Sequence, residues 1–142
     1  MSPPRVSIGL PVYNGENYLA AAVESILRQD FADLELIISD NGSDDGTEAI
    51  CTRYAETDGR VRYYRSDTNR GAAWNYNRVF ELARGEYFKW QAHDDVCLPR
   101  FLGSCLEVFD AAPASVALVY PKTDIIDSNG CVMPHFVAES LD

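Results

Sequence analysis

Nowhere does this chain hold a run of roughly 18 to 20 apolar residues, the length that crosses a bilayer as a helix. Positive charge is scarce as well: 12 Lys and Arg stand against 22 Asp and Glu, for a net charge of −10. With no basic patch to offset it, that balance repels a phosphate backbone, and nucleic acid is not an expected partner. An anionic ligand such as a nucleotide diphosphate would need a divalent cation between it and the acids. The four cysteines, Cys51, Cys97, Cys105 and Cys131, show no CxxC spacing, which argues against a zinc cluster. They would allow three disulfide pairings, but no signal-like N-terminus is seen and a reduced, cytosolic setting is expected. Internal repeats, low-complexity tracts and linkers are also lacking.

What is present is an ordinary globular composition, 46% hydrophobic and 11% aromatic over 142 residues, enough for one domain spanning 1–142 with its own core. The order of elements is repeating strand then helix. "RVSIGLPVYN" reads as a strand, and Asn17 to Gln29 places Leu19, Ala22, Val23, Ile26 and Leu27 on one helical face. The continuous apolar strand Leu34 to Ile38 leads through a turn with Gly42 and Gly46 into a helix carrying Ile50 and Tyr54. "RVRYYRS" is a third strand, followed by a helix with Tyr76, Val79, Phe80 and Ala83 at helical spacing. "EYFKWQA" is a fourth, followed by the turn "HDDVCL" and a helix opening at Pro99, its inward face Leu102, Cys105, Leu106 and Phe109. "VALVYPK" is expected as a fifth strand, and "DIIDSNGCVM" as a hairpin turning at Ser128, Asn129 and Gly130. This alternation predicts an α/β fold, a doubly wound, mainly parallel sheet with helices on both faces.

In such a sheet, ligands bind beyond the carboxyl ends of the strands. The polar residues there are Pro11, Tyr13 and Asn14; Asp40, Asn41 and Ser43; Asp67, Asn69 and Arg70; and His93, Asp94 and Asp95. If Asp94 and Asp95 continue the extended strand, their side chains point to opposite faces, so one could reach a divalent ion while the other accepts from a sugar hydroxyl. The alternative is a solvated loop before a helix, where the dipole favours acids by about 0.3 to 1 kcal/mol. The pair by itself leaves both open. Asp44 and Asp45 read as helix caps. Asp40 could accept from a base or ribose, or from its own backbone in an Asx-turn. Arg70 could stack on or bond to a base, or stay solvated; His93 reads as a flanking residue rather than a ligand. Tyr13 and Trp90 could be stacking surfaces, though aromatics beside strands are usually core.

Taken together, "VSIGLPVYNGENYLAAAVESILRQDFADLELIISDNGSDDGT", "NRGAAWN" and "ARGEYFKWQAHDDVCLP" resemble the N-terminal half of a family 2 glycosyltransferase of GT-A fold, from about Val6 to Leu106. The resemblance implies a Rossmann-like nucleotide-sugar-binding half in which Pro11, Val12 and Tyr13 line the nucleotide pocket and Asp40 recognises the base. Arg70 falls in a loop near the base, Asp94 faces the ribose, and Asp95 binds Mg²⁺ or Mn²⁺ bridging the diphosphate. It further implies inverting transfer of a sugar from a nucleotide-diphosphate donor, UDP- or TDP-sugar favoured, to a hydroxyl acceptor on a saccharide or lipid-linked glycan. The expected setting is cytoplasmic, with peripheral association of the full-length protein at the inner face of the membrane left open. Two departures stand out: Ala92 where many relatives carry an acid, and Trp74 where many carry arginine. Family members are longer, and their general base comes from the later half; no convincing base stands among Asp124, Asp127 and Glu139, so the chain is expected to be truncated before the acceptor-binding half. The alternative is a non-catalytic nucleotide-binding module, or an inactive fragment, of the same fold.

Overall fold

The computed structural model describes residues 2–134. Its elements run β1 (Val6–Val12), α1 (Leu19–Leu27), β2 (Leu34–Asp40), α2 (Thr47–Thr57), β3 (Val61–Arg65), α3 (Ala72–Glu81), β4 (Tyr87–Trp90) and α4 (Phe101–Ala111). One compact unit closes at Gly103, and a second begins at Ser104.

In the first unit the four strands form a single sheet of order β3-β2-β1-β4, every neighbouring pair parallel. The two strands that read as continuous apolar runs, β1 and β2, are the central pair, and every residue of both is buried. That is the expected consequence of covering both faces of a parallel sheet. Right-handed crossovers in this order put α1 and α2 on one face and α3 on the other, as predicted for a doubly wound sheet. Leu19, Ala22, Val23 and Ile26 are the buried face of α1, the stripe read from the sequence.

Three sequence expectations need correction. The inward face of α3 is Asn75 and Val79, one turn apart; Tyr76 and Phe80 lie one residue further round and are 41% and 55% exposed. Phe80 instead meets Phe88 edge-on at 5.1 Å and stacks with Trp90 at 5.9 Å. The fourth helix begins at Phe101, with Pro99 in the turn before it.

The third correction lies in the second unit, where Val116–Lys122 is not a strand. Leu118 and Tyr120 are 73% and 79% exposed. A β-prone run becomes a strand only where a neighbouring ladder takes its backbone groups, and among the described residues none does. The predicted hairpin does form there, as one antiparallel bridge between Ile126 and Val132. Asp127 Oδ1 accepts from the N–H groups of Asn129 and Cys131, and Gly130 adopts φ 81°.

Candidate functional site

Strand order reverses between β1 and β4, and the crevice expected at such a switch point is present. A pocket of about 240 Å³ is lined by Pro11, Val12 and Tyr13 from the end of β1, Asn41 after β2, Asn69 before α3, Ala72, Asn75 and Tyr76 on α3, and His93 after β4.

Its floor is a set of polar contacts among distant segments. Asn75, buried on α3, donates from Nδ2 to the carbonyls of Ser39 at 2.8 Å and Val12 at 3.3 Å, while its Oδ1 accepts from Ser39 Oγ at 2.6 Å. The loops after β1 and β2 interlock: Asn14 N–H donates to Ser43 Oγ, Gly15 N–H to Thr47 Oγ1, and Glu16 N–H to Asp45 Oδ2. In return Asp44 N–H donates to Asn14 Oδ1 and Gly46 N–H to Glu16 Oε2. Asp45 Oδ1 also accepts from Thr47 N–H two residues on, but the N-cap of α2 is Gly46, so neither Asp44 nor Asp45 is the cap the sequence suggested. A Cβ at Gly15 would lie 2.6 Å from Val12 Cγ2 and 2.8 Å from His93 Cδ2, so any other residue there must displace one of these side chains.

At the end of β2, adjacent residues part. Asp40 is fully buried: Oδ1 accepts from Ser43 N–H at 2.9 Å, and Oδ2 accepts from Arg65 at 2.6 Å and Tyr63 Oη at 3.0 Å. Burial, with the charge and acceptor bond of Asp40, holds the Tyr63 phenol above its ordinary pKa. Beneath them burial, followed by the charges of Asp40 and Asp45, pushes the Cys51 thiol up to about 12. It is the next residue, Asn41, that lines the pocket. Its Oδ1 accepts from Arg70 N–H, and its Nδ2 donates to Asn69 Oδ1 at 2.9 Å and the Gly71 carbonyl at 3.1 Å. One buried amide thereby fixes the whole 69–71 turn. Arg70 does not line the pocket; its guanidinium lies 4.2 Å from the centre of the Trp74 ring.

Asp94 and Asp95 do not extend β4. The strand ends at Trp90, His93 and Asp94 form a turn, and Asp95 N–H closes it onto the Ala92 carbonyl at 3.3 Å. The alternation of faces expected of an extended pair therefore does not apply. Both residues are exposed, and among the described residues neither carboxylate takes part in a hydrogen bond or ion pair. Gln91, 2% exposed, holds the turn from below: Nε2 donates to the Asp95 carbonyl at 2.8 Å, and Oε1 accepts from Lys89 and from Cys97 Sγ at 3.1 Å. Among the described residues no group of three or more His, Cys, Asp or Glu could by itself hold a metal ion. Two unengaged carboxylates fit a hard cation that completes its shell with water and phosphate oxygens.

Pro11, Val12 and Tyr13 are thus together at one pocket, with His93 opposite. Asp94 and Asp95 follow His93 in the adjoining turn, and Asp40 and Arg70 stand behind and beside the wall. The sequence flagged Asn41 and Asn69 only as strand-end polar residues; Asn75 and Gln91 carried no local signal, one in a helix that also holds Asn77, Arg78 and Glu81, the other just past the end of β4. Asp127 is the acceptor of a surface turn, and Glu139 lies outside the described residues.

A parallel sheet of order 3-2-1-4 with its pocket at the switch point defines a Rossmann-like nucleotide-binding fold of the GT-A kind. The sequence profile of the family described as Glycosyl transferase family 2 matches residues 7–137, and the chain belongs to that family. It is 36% identical over 144 residues to the chondroitin synthase of Escherichia coli, covering 97% of this chain and 21% of that protein. Among solved structures, S. aureus TarS 1–349 in complex with UDP-GlcNAc superposes with a TM-score of 0.71 at 25% identity, over 75% of this chain and 31% of that one. The mannosyltransferase PcManGT from Pyrobaculum calidifontis, in complex with GDP-Man and Mn²⁺, gives 0.68 at 25% identity, over 87% and 35%. The chain spans 20% to 44% of the length of the curated relatives it matches. No helix among the described residues is long and apolar enough to cross a membrane.

Proposed function

We propose that this segment binds the nucleotide-diphosphate sugar of an inverting glycosyltransferase whose acceptor is a hydroxyl of a saccharide or lipid-linked glycan. The observation that carries the reading is the pocket at the switch point, walled by Pro11, Val12, Tyr13, Asn41 and Asn69 and bordered by the turn holding two unengaged aspartates. Similar proteins with bound UDP-GlcNAc and GDP-Man support a nucleotide-sugar ligand. A uridine or thymidine donor is favoured.

In this reading the base lies against Tyr13 and Asn41, and Asp40 has the supporting place behind them. Arg70 completes the rim, and Asp94 accepts from the ribose. Asp95 holds Mg²⁺ or Mn²⁺, whose chemistry is to offset the charge of a departing diphosphate. The general base for the acceptor is assigned to no residue of this chain.

Calorimetry with UDP, TDP and GDP, with and without Mn²⁺, tests the reading. UDP or TDP should bind only with the metal, and EDTA or Asp95→Ala should abolish binding. If no nucleotide binds, the pocket is misread; if binding ignores both EDTA and Asp95→Ala, the metal site is. The alternative reading is a non-catalytic nucleotide-binding module, or an inactive fragment, of the same fold. It predicts no donor hydrolysis or transfer even in the natural full-length protein.

A further inference from the structure

Trp74 lies between two guanidinium groups, Arg70 at 4.2 Å and Arg78 at 4.9 Å from the ring centre. Neither arginine forms an ion pair among the described residues, although the protein carries a net charge of −10. Arg70 is nonetheless held at both ends. Its N–H donates to Asn41 Oδ1 on the pocket wall, and its guanidinium rests on Trp74. Between them Gly71 takes φ 88°, a conformation that turns the chain into α3 directly after Arg70.

Stacking occupies the face of a guanidinium and leaves its in-plane N–H donors available. An exposed arginine would otherwise lose extensive rotamer freedom on meeting a ligand. We propose that Trp74 is a positioning residue: it fixes Arg70 beside Asn69 with its donor edge ready for acceptor oxygens of the nucleoside diphosphate. The proposal rests on the nucleotide reading of the pocket.

The test uses the full chain in a Trp90→Phe background, which leaves Trp74 as the sole indole of the two tryptophans. Arg70→Ala and Arg78→Ala should each change Trp74 emission in the absence of ligand, and UDP with Mn²⁺ should change it in the parent. Trp74→Ala should weaken UDP binding about two- to fivefold, the share expected of one exposed cation–π contact, and Trp74→Phe should restore most of it. In an Arg70→Ala background, Trp74→Ala should add no further loss. Unchanged affinity in Trp74→Ala, or a loss independent of Arg70, overturns the proposal while the pocket reading stands. If the parent binds no nucleoside diphosphate, both fall.

Discussion

Ser39 and Asn75 hold each other by two hydrogen bonds, hydroxyl to amide oxygen at 2.6 Å and amide nitrogen to backbone carbonyl at 2.8 Å. Through this pair α3 is fastened to the end of β2, directly below the pocket. Asn75→Ala should cost about 1 to 3 kcal/mol, because it takes the acceptor from the buried Ser39 hydroxyl and a donor from the Ser39 and Val12 carbonyls, the second of which keeps the Asn41 N–H. Urea unfolding followed by circular dichroism measures it, and Asn75→Asp should be no better, since it loses the donor.

Glu35 contributes to the acid sensitivity of the fold. Burial pushes its carboxyl pKa up, but bonds from Arg84, Ser7 and Arg62 outweigh burial, and the net result lies below the ordinary 4.5. Because the folded pKa is depressed, the unfolded chain binds the proton first. The contribution is therefore complete above the unfolded value and is lost as pH falls from there through the lower folded value. Stability measured down this range should decline less steeply in Glu35→Gln, which should itself cost about 1 to 3 kcal/mol at pH 7.

Asp40 and Asn41 can be told apart by their failures. Asp40→Ala should destabilise by about 2 to 4 kcal/mol, since the Ser43 N–H and the Tyr63 hydroxyl lose their buried acceptor. Asn41→Ala should lower UDP affinity more than stability, because it frees the 69–71 turn. Thermal melts with and without UDP separate the two, and equal effects would contradict the division drawn between these neighbours.

Gly15→Ala should displace His93 or Val12, whose atoms stand 2.8 and 2.6 Å from the added Cβ. A strained insertion of this size costs about 1 to 3 kcal/mol. A lowered melting temperature with weakened UDP binding is expected, and a melt like that of the parent would show that the loop yields without cost.

Much of the fold was legible because it follows local rules. Apolar runs at β1 and β2 announced strands buried on both faces, and the 3.6-residue spacing of Leu19, Ala22, Val23 and Ile26 announced α1. The rules failed where a neighbour decided the outcome. Among the described residues Val116–Lys122 has strand chemistry without a ladder to join, and Tyr76 and Phe80, at helical spacing with Val79, lie one residue off the face that packing buries.

The amino-acid order by itself determined the succession of parallel strands and helices, the polar strand ends where a pocket must lie, and the family. Tertiary structure alone decided which strand-end residues meet the pocket. Asp40 and Asn41 are sequence neighbours of similar size, yet one is an internal acceptor for Tyr63 and Arg65 and the other walls the pocket and holds Asn69 to Gly71. Apart from the Ser43 N–H on Asp40, the local acceptor role already open to it, their partners come from β3 and the turn after it, more than twenty positions away, so the local pattern did not separate them. Asp94 and Asp95 likewise took their place from a turn that Gln91 braces, its buried amide donating to the Asp95 carbonyl, with both acids exposed.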